Sequence, residues 1–288
     1  VQLGEDVRET GCISPAAYKR GLDCLQHFKT LMDQHSLGQY WALGTNTFRV
    51  TANAQDFIQA ACDIGIEISP ISGEQEAVLI YAGVITSLPV SENHRLVIDI
   101  GGGSTEIIIG HKHSRLLTES MAIGSVAWRD KFFSPKTSDP LLLEKQLDAA
   151  TAASKDVFNG ISIGVKKAGW KEAYASSGTV KMLAAICQAH GFEKGEIELA
   201  ALLTLKPQII TAIAGGGNLP GLKGRRRELL LPGLAVLVGL MQSYTVGNIN
   251  FSATALREGM LDFMVKNKKT LAIMQNNQLP EVSLTDNS

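Results

Sequence analysis

The stretch VIDIGGGSTEIIIG, residues 97–110, decides the fold. An apolar run ends at Asp99 and Ile100, and three glycines follow, Gly101, Gly102 and Gly103. Ser104, Thr105 and Glu106 then lead into a second apolar run. Two β-rich runs joined by a glycine turn predict a hairpin. A turn centred between Gly102 and Gly103 makes Asp99 and Glu106 direct cross-strand partners, with side chains on one face about 5 Å apart. Two like charges at that separation repel, and one carboxyl should be pushed up unless a cation lies between them. Hard divalent cations with oxygen ligands suit such a gap, Mg²⁺ above all where phosphate oxygens complete its shell. The glycines carry no Cβ, so their N–H groups can approach an anion closely. Ser104 and Thr105 add hydroxyl donors. A plain flexible turn with one acid in solvent is the alternative; the flanking acids and hydroxyls favour a phosphate–Mg²⁺ site.

The whole chain has 288 residues, is 45% hydrophobic and carries a formal net charge of -1. That length can bury a real core in one or two domains. Nothing in the global charge argues for nucleic acid or a membrane surface as a partner, so a polyanion would need a local basic site. Cys12, Cys24, Cys62 and Cys187 lie far apart with no CxxC spacing. Neither a zinc site nor a disulfide framework is indicated, and reduced thiols in the cytoplasm are expected. Glu5, Asp6, Arg8 and Glu9 interrupt the start, so no signal peptide is expected. LLLPGLAVLVGLM, residues 229–241, falls short of the ~20 residues that span a bilayer. It is read as a buried helix entered through Pro232.

Along the chain, Ser14 and Pro15 start a helix whose Leu22, Leu25, Phe28, Leu31 and Met32 recur at helical spacing. A short strand and a polar turn are expected in YWALGTNTFRVTAN, a helix in AQDFIQAACDIG and a strand in IEISPISG. EQEAVLIYAGVITSL reads as a helix, acidic in its first turn as the helix dipole prefers. After the loop PVSENH come the hairpin and a third strand, RLLTESMAIGSVAW. Helices are expected at roughly 139–167 and at 196–214, with strand, small-residue turn and helix in EAYASSGTVKMLAAICQAHG between them. INFSATALREGMLDFMV reads as strand, turn and helix, and NNQLPEVSLTDNS as a disordered tail. Strands alternating with helices predict an α/β fold with mixed sheets flanked by helices. The expected domains are 1–92, 93–270 and a tail, 271–288.

Other residues invite functional readings. Ser177, Gly178 and Thr179 follow a strand and open a helix, which suits either an anion or simple capping. Glu74 and Glu76 complement a helix dipole, or one of them projects into a cleft as a general base. Arg225, Arg226 and Arg227, with Lys166 and Lys167, are tracks for a polyanion or solvated faces. His111 and His113 alternate in a turn with no acid or cysteine seen to complete a metal set, so an exposed turn is expected.

These segments together resemble the exopolyphosphatase and guanosine pentaphosphate phosphatase family, within the actin-like ATPase and sugar kinase superfold. VIDIGGGSTE resembles its second phosphate loop, and ISGEQEA its ISGxEEA segment. TNTFRVTANAQDF resembles TxxLRxAxNxxxF, ASSGTVK resembles GASGTxK, and ATALREGML resembles GALREGxL. The motifs keep the family's order over residues 45–262. The resemblance implies two actin-like (ribonuclease H-like) domains around a cleft, and Mg²⁺-dependent hydrolysis of a terminal phosphoanhydride. By position Glu76 matches the water-activating base, and Asp99 and Glu106 the metal acids. Gly101 through Thr105 match the phosphate cradle, Arg49 a phosphate-contacting arginine, and Ser177, Gly178 and Thr179 the far loop of the cleft. The family opens with a hairpin carrying a DxGSNSxR loop, whereas this chain opens at VQLGEDVRETG, so its first domain is expected to lack its N-terminal strands. Long members carry a C-terminal helical domain of the HD type, and this chain is expected to be a short member or a truncation. Polyphosphate and guanosine pentaphosphate both stay open as substrates, and so does a homodimer. A sugar or acetate-type kinase and a nucleotide-binding scaffold are the rival readings of the superfold.

Overall fold

The computed structural model describes residues 1–266 apart from 36, 38, 113 and 134. His113, the side chain of Arg225 and the expected tail 271–288 lie outside the described residues. The elements run α1 (Val7–Thr10), α2 (Pro15–Gln34), β1 (Ala42–Gly44), α3 (Asn46–Val50), α4 (Ala54–Asp63), β2 (Ile68–Pro70) and α5 (Gly73–Ile85). Then come β3 (His94–Ile100), β4 (Thr105–His111), β5 (Ser114–Met121), α6 (Ser125–Phe132), α7 (Pro140–Asn159), α8 (Ser162–Ala168) and β6 (Glu172–Ser176). The rest are α9 (Ser177–Ala189), β7 (Glu196–Glu198), α10 (Leu199–Ala214), a 3₁₀ turn (Gly224–Leu229), α11 (Leu230–Tyr244), β8 (Asn248–Phe251) and α12 (Leu256–Lys266).

Two sheets organise these elements. β1 and β2 pair in parallel, and a six-stranded sheet has the order β5-β4-β3-β6-β8-β7. Its first three strands form an antiparallel meander, while β6 and β8 run parallel to β3, so the sheet is mixed and flanked by helices. Alternation along the strands divides its faces. Leu96, Ile98, Ile100, Ile107 and Ile109 point to the large core built with α7, α9, α10 and α11. Val97 and Ile108 point the other way, onto Ala77, Ile80, Tyr81 and Val84 of α5. Side chains two apart share a face, so Asp99 and Glu106 also lie on the α5 side.

Helix α5 is the wall between the two sheets. It lies on the six-stranded sheet by one stripe, while Val78, Leu79 and Ala82 pack with Ile71, Leu43 and Phe263. All residues from Gln75 to Ile85 are buried. Its N-terminus is fixed by a reciprocal cap: Ser72 Oγ accepts from the Gln75 N–H and Gln75 Oε1 accepts from the Ser72 N–H. Helix α12 crosses α5 at two glycines. A Cβ at Gly83 would run into the Ala255 carbonyl and lie 2.7 Å from Gly259 N, and one at Gly259 would run into the Leu79 carbonyl.

Several expectations are corrected. Residues 46–50 form α3 and not a polar turn, with Arg49 in its last turn. SVAW belongs to α6 and does not continue the third strand. Residues 196–198 form an antiparallel edge strand on β8 before the α10 helix begins. The apolar stripe of α2 is not core throughout, since Phe28 is 55% and Leu31 38% exposed. The buried positions of α2 are Ala17 and Gly21, where a Cβ on Gly21 would lie 2.7 Å from the Phe57 ring. The 20-residue helix outruns the 10-residue α4 it rests on, so its second half has less to pack against. The Pro-Gly helix is α11, buried over nearly its whole length, with Pro232 inside its first turn. Among the described residues no helix is long and apolar enough to cross a membrane.

The α5–α12 crossing yields a stability test. Gly83→Ala or Gly259→Ala should destabilise the protein by about 1–3 kcal/mol or more in denaturant unfolding, because backbone on the facing helix must move. Gly247→Ala, where a Cβ meets nothing within 4 Å, should stay within about 0.5 kcal/mol of the parent.

Candidate functional site

The sheet places four polar residues in one row. Ser120 on β5 is opposite Glu106 on β4, Glu106 is opposite Asp99 on β3, and Asp99 is opposite Ser176 on β6. The pairing of Asp99 with Glu106 follows from the glycine turn, as the arithmetic of the sequence requires. Ser120 Oγ donates to Glu106 Oε1 at 2.9 Å, and Ser176 Oγ donates to Asp99 Oδ1 in a very short contact. Glu106 Oε2 is buried and has no hydrogen-bond partner.

Glu76 enters this group from the first turn of α5. It is 7% exposed, and Arg49 Nη1 donates to its Oε2 at 2.9 Å and to the Ile71 carbonyl at 2.9 Å. Burial pushes the Glu76 carboxyl up, against the lowering effect of the Arg49 charge and hydrogen bond. Burial also pushes Glu106 up to about 8, and the charges of Glu76 and Asp99 add to it while Ser104 and Ser120 oppose it. Asp99 is pushed up to about 6, mainly by burial and further by Glu76, against the Ser176 hydrogen bond. The three acids therefore feel one another. Gly73 allows α5 to close on this end of the sheet, since a Cβ there would lie 2.5 Å from Ser120 Oγ. A cavity of about 500 Å³ lined by Ser72, Gly73, Glu74, Thr118, Glu119 and Ser120 opens alongside.

The glycine turn is tight, with the Gly101 N–H donating to the Ser104 carbonyl at 2.9 Å. None of Gly101, Gly102 and Gly103 has a positive φ. What two of them provide is close approach. A Cβ on Gly103 would run into Asn46 Oδ1, and one on Gly102 would lie 3.3 Å from Val126. The carbonyls of Gly101 and Gly102 accept from the first N–H groups of α6, at Ser125, Val126 and Ala127. The turn and α6 thus hold each other in place. Thr105, expected to donate to a phosphate, is fully buried and donates to the Ile123 carbonyl at 2.6 Å. The structure gives it the task of fixing the strand that follows the turn.

The far loop sits at the start of α9. Ser177 has φ 96, a left-handed conformation that costs a non-glycine residue about 1–3 kcal/mol. Its Oγ accepts from the Thr179 N–H at 3.2 Å. Thr179 Oγ1 donates to Ser125 Oγ at 3.3 Å, which ties this loop to α6 and so to the glycine turn. A Cβ on Gly178 would displace the Arg226 guanidinium, which lies against it.

Of the remaining basic residues, Arg227 donates to the Gly217 and Ala212 carbonyls, a structural role. Lys166 and Lys167 end α8, where a positive charge complements the helix dipole. His111 Nε2 has one acid beside it, Glu92, at 3.4 Å. Among the described residues no group of three or more His, Cys, Asp and Glu side chains is arranged to hold a metal ion. Magnesium does not need one, because it binds through one or two carboxylates and keeps water and phosphate oxygens for the rest. Asp99 and Glu106, opposed across the hairpin and with Glu106 Oε2 buried and unpartnered, have that donor set. Reasoning from the sequence missed Ser120, Ser176 and Asn46. Only the pairing of β5 with β4 and of β6 with β3 brings the two serines to the acids.

Comparison with known proteins follows the same lines. The model of the Ppx/GppA phosphatase family matches residues 1–268. A Haemophilus influenzae protein named "Putative exopolyphosphatase" is 32% identical over 273 residues, covering 93% of this chain and 82% of its own. The crystal structure of an exopolyphosphatase from Cytophaga hutchinsonii superposes with TM-score 0.77 at 25% identity, over 89% of this chain and 84% of that one. The Aquifex aeolicus member of the Ppx/GppA family has TM-score 0.71 at 23% identity, over 93% and 87% of the two chains, and shows the same fold.

The raised carboxyls fix how stability depends on pH. A buried Glu106 pushed up to about 8 holds its proton in the folded protein where the unfolded chain has lost it, above about 4.5. Its contribution is fully present below that unfolded value and is lost as pH rises through the folded one. In the presence of a chelator, the melting temperature should therefore fall between pH 5 and pH 8. Glu106→Gln should flatten that fall, and an equal slope in the variant would contradict the assignment.

Proposed function

The chain belongs to the Ppx/GppA phosphatase family, and from that premise we propose that it hydrolyses a terminal phosphoanhydride, releasing orthophosphate from inorganic polyphosphate. The supporting observation is the pair of opposed acids, Asp99 and Glu106, with the buried Glu76 carboxyl beside them and a glycine turn at their side. Mg²⁺ held by Asp99 and Glu106 supplies positive charge against the phosphate oxygens when it is bound. Glu76 is the general base: its carboxylate takes a proton from water as the water oxygen bonds to the terminal phosphorus and the bridging oxygen leaves with its electron pair. Burial raises the proton affinity that this step uses. Arg49 orients Glu76 through one guanidinium nitrogen, and its fork is suited to take a substrate phosphate oxygen as well.

The glycine turn contributes backbone. Its carbonyls are already bonded to α6, so the turn is held rigid before substrate arrives. With the Gly101 N–H bonded to the Ser104 carbonyl, Gly102, Gly103 and Ser104 face the phosphate with small groups and N–H donors, which favours charge on its oxygens in the transition state. Ser177, Gly178 and Thr179 form the opposite side, fixed to the same α6 by the Thr179–Ser125 hydrogen bond. The cysteines Cys12, Cys24, Cys62 and Cys187 are free thiols, which fits a reducing compartment, and on that ground we place the protein in the cytoplasm.

Glu76→Gln should keep substrate binding and lose about 10²–10⁴ in the rate of phosphate release from polyphosphate with magnesium present. A variant with near-parental turnover would remove Glu76 from the base role. The same assay with guanosine pentaphosphate, and with ATP plus sugars, separates the substrates. Phosphate released from guanosine pentaphosphate alone reassigns the substrate within this chemistry, and transfer to a sugar hydroxyl replaces the hydrolase reading by a kinase.

A further inference from the structure

The two serines that flank the acids call for an explanation of their own. On the α5 face of the sheet, the next row inward is Thr118, Ile108, Val97 and Tyr174, with an apolar centre. The row at the sheet end is Ser120, Glu106, Asp99 and Ser176, polar from side to side. Ser176 is fully buried, Glu106 is fully buried, and Ser120 is on the open side. Each serine donates to the carboxylate beside it, outward of the Asp99–Glu106 pair, and the Ser176 hydroxyl also has the Ile98 carbonyl at 3.4 Å, a longer contact than the one to Asp99.

We infer that Ser120 and Ser176 are positioning residues that hold the two carboxylates by one oxygen each, so that the other oxygen of each is presented to a shared divalent cation. The inference rests on the reading of Asp99 and Glu106 as the cation's ligands and adds two residues to it. Three features carry it. A hydroxyl is a neutral donor: it fixes the rotamer of a carboxylate and leaves its charge in place, whereas an arginine or lysine would cancel the charge the cation needs. The serines stand on opposite outer sides of the acid pair, so they restrain it from two directions, and the sheet register sets both positions. A purely structural arrangement would satisfy both oxygens of a fully buried carboxylate, yet Glu106 Oε2 accepts no hydrogen bond of good geometry, although the Ser104 hydroxyl is close enough to lower the carboxyl. Partners of metal ligands commonly matter about 10–100-fold in affinity or activity.

The test uses the full chain and Mn²⁺ alone as the probe, with binding followed by the loss of the free-ion electron paramagnetic resonance signal. Ser120→Ala and Ser176→Ala should each weaken Mn²⁺ binding about tenfold. Ser120→Thr, which keeps the hydroxyl on a residue suited to a strand, should restore it. Circular dichroism confirms that each variant is folded; should Ser176→Ala fail to fold, the Ser120→Ala and Ser120→Thr pair carries the comparison. Asp99→Asn is the control for the underlying reading and should bind far more weakly than the parent. Parental affinity in the folded serine-to-alanine variants, with Asp99→Asn weakened, overturns the positioning role and leaves the cation reading standing. Unchanged binding in Asp99→Asn overturns the cation reading and the serine proposal with it.

Discussion

Two carboxylates facing each other across an antiparallel pair are the constraint on which the rest of this structure turns. A sheet ordinarily avoids like charges at directly opposed positions, because the pairing brings their side chains within about 5 Å. Here the opposition is imposed by the four-residue turn Gly101–Ser104, which closes the Ile100–Thr105 pair, and it lies beneath α5. Burial makes it costlier, since both acids lose water, Glu76 raises both and Asp99 raises Glu106 further. A chain with no use for the pair would relieve it with one substitution. The remaining features of the site keep the two acids where they are: the carbonyls of the turn are bonded to α6, Thr105 is bonded to the strand exit at Ile123, and a serine lies on each flank.

Helix α5 converts that strained sheet end into a site. It is buried along almost its whole length and touches both sheets, so it cannot shift without disturbing either core. The glycine crossing with α12 sets its depth, and the Ser72–Gln75 cap fixes where its first turn begins. Glu76 is therefore placed by packing far from itself. The same logic holds for Arg49, which α3 delivers to Glu76 from 27 positions earlier in the chain. The catalytic assignment proposed for Glu76 thus rests on a scaffold whose rigidity comes from glycines and caps more than from salt bridges.

Much of this was legible in the residues. Alternating apolar runs about a glycine turn specified β3 and β4 and, by counting, the opposition of Asp99 to Glu106. Ser14, Pro15 and the helical spacing specified the start of α2. The family resemblance carried over residues 45–262, in agreement with the match over 1–268. What stayed hidden has a common cause. The β3–β6 pairing is parallel and joins residues 77 apart, and no local pattern announces its register, so Ser176 could not be placed beside Asp99. SVAW has a strand-like composition, yet the Gly101 and Gly102 carbonyls offered its N–H groups a helix start. The apolar stripe on α2 promised a core that the shorter α4 does not supply along its full length. Local sequence encodes period and turn; which distant groups meet is a property of the assembled sheet.

The most direct measurement is a crystal of this chain soaked with manganese and a phosphate mimic, recorded at a wavelength where manganese scatters anomalously. The account predicts one strong anomalous peak bridging the Asp99 and Glu106 carboxylates, with the mimic's oxygens completing its shell beside Gly102 and Gly103. Carboxylates turned apart, with no anomalous density between them and the mimic bound elsewhere, would contradict it.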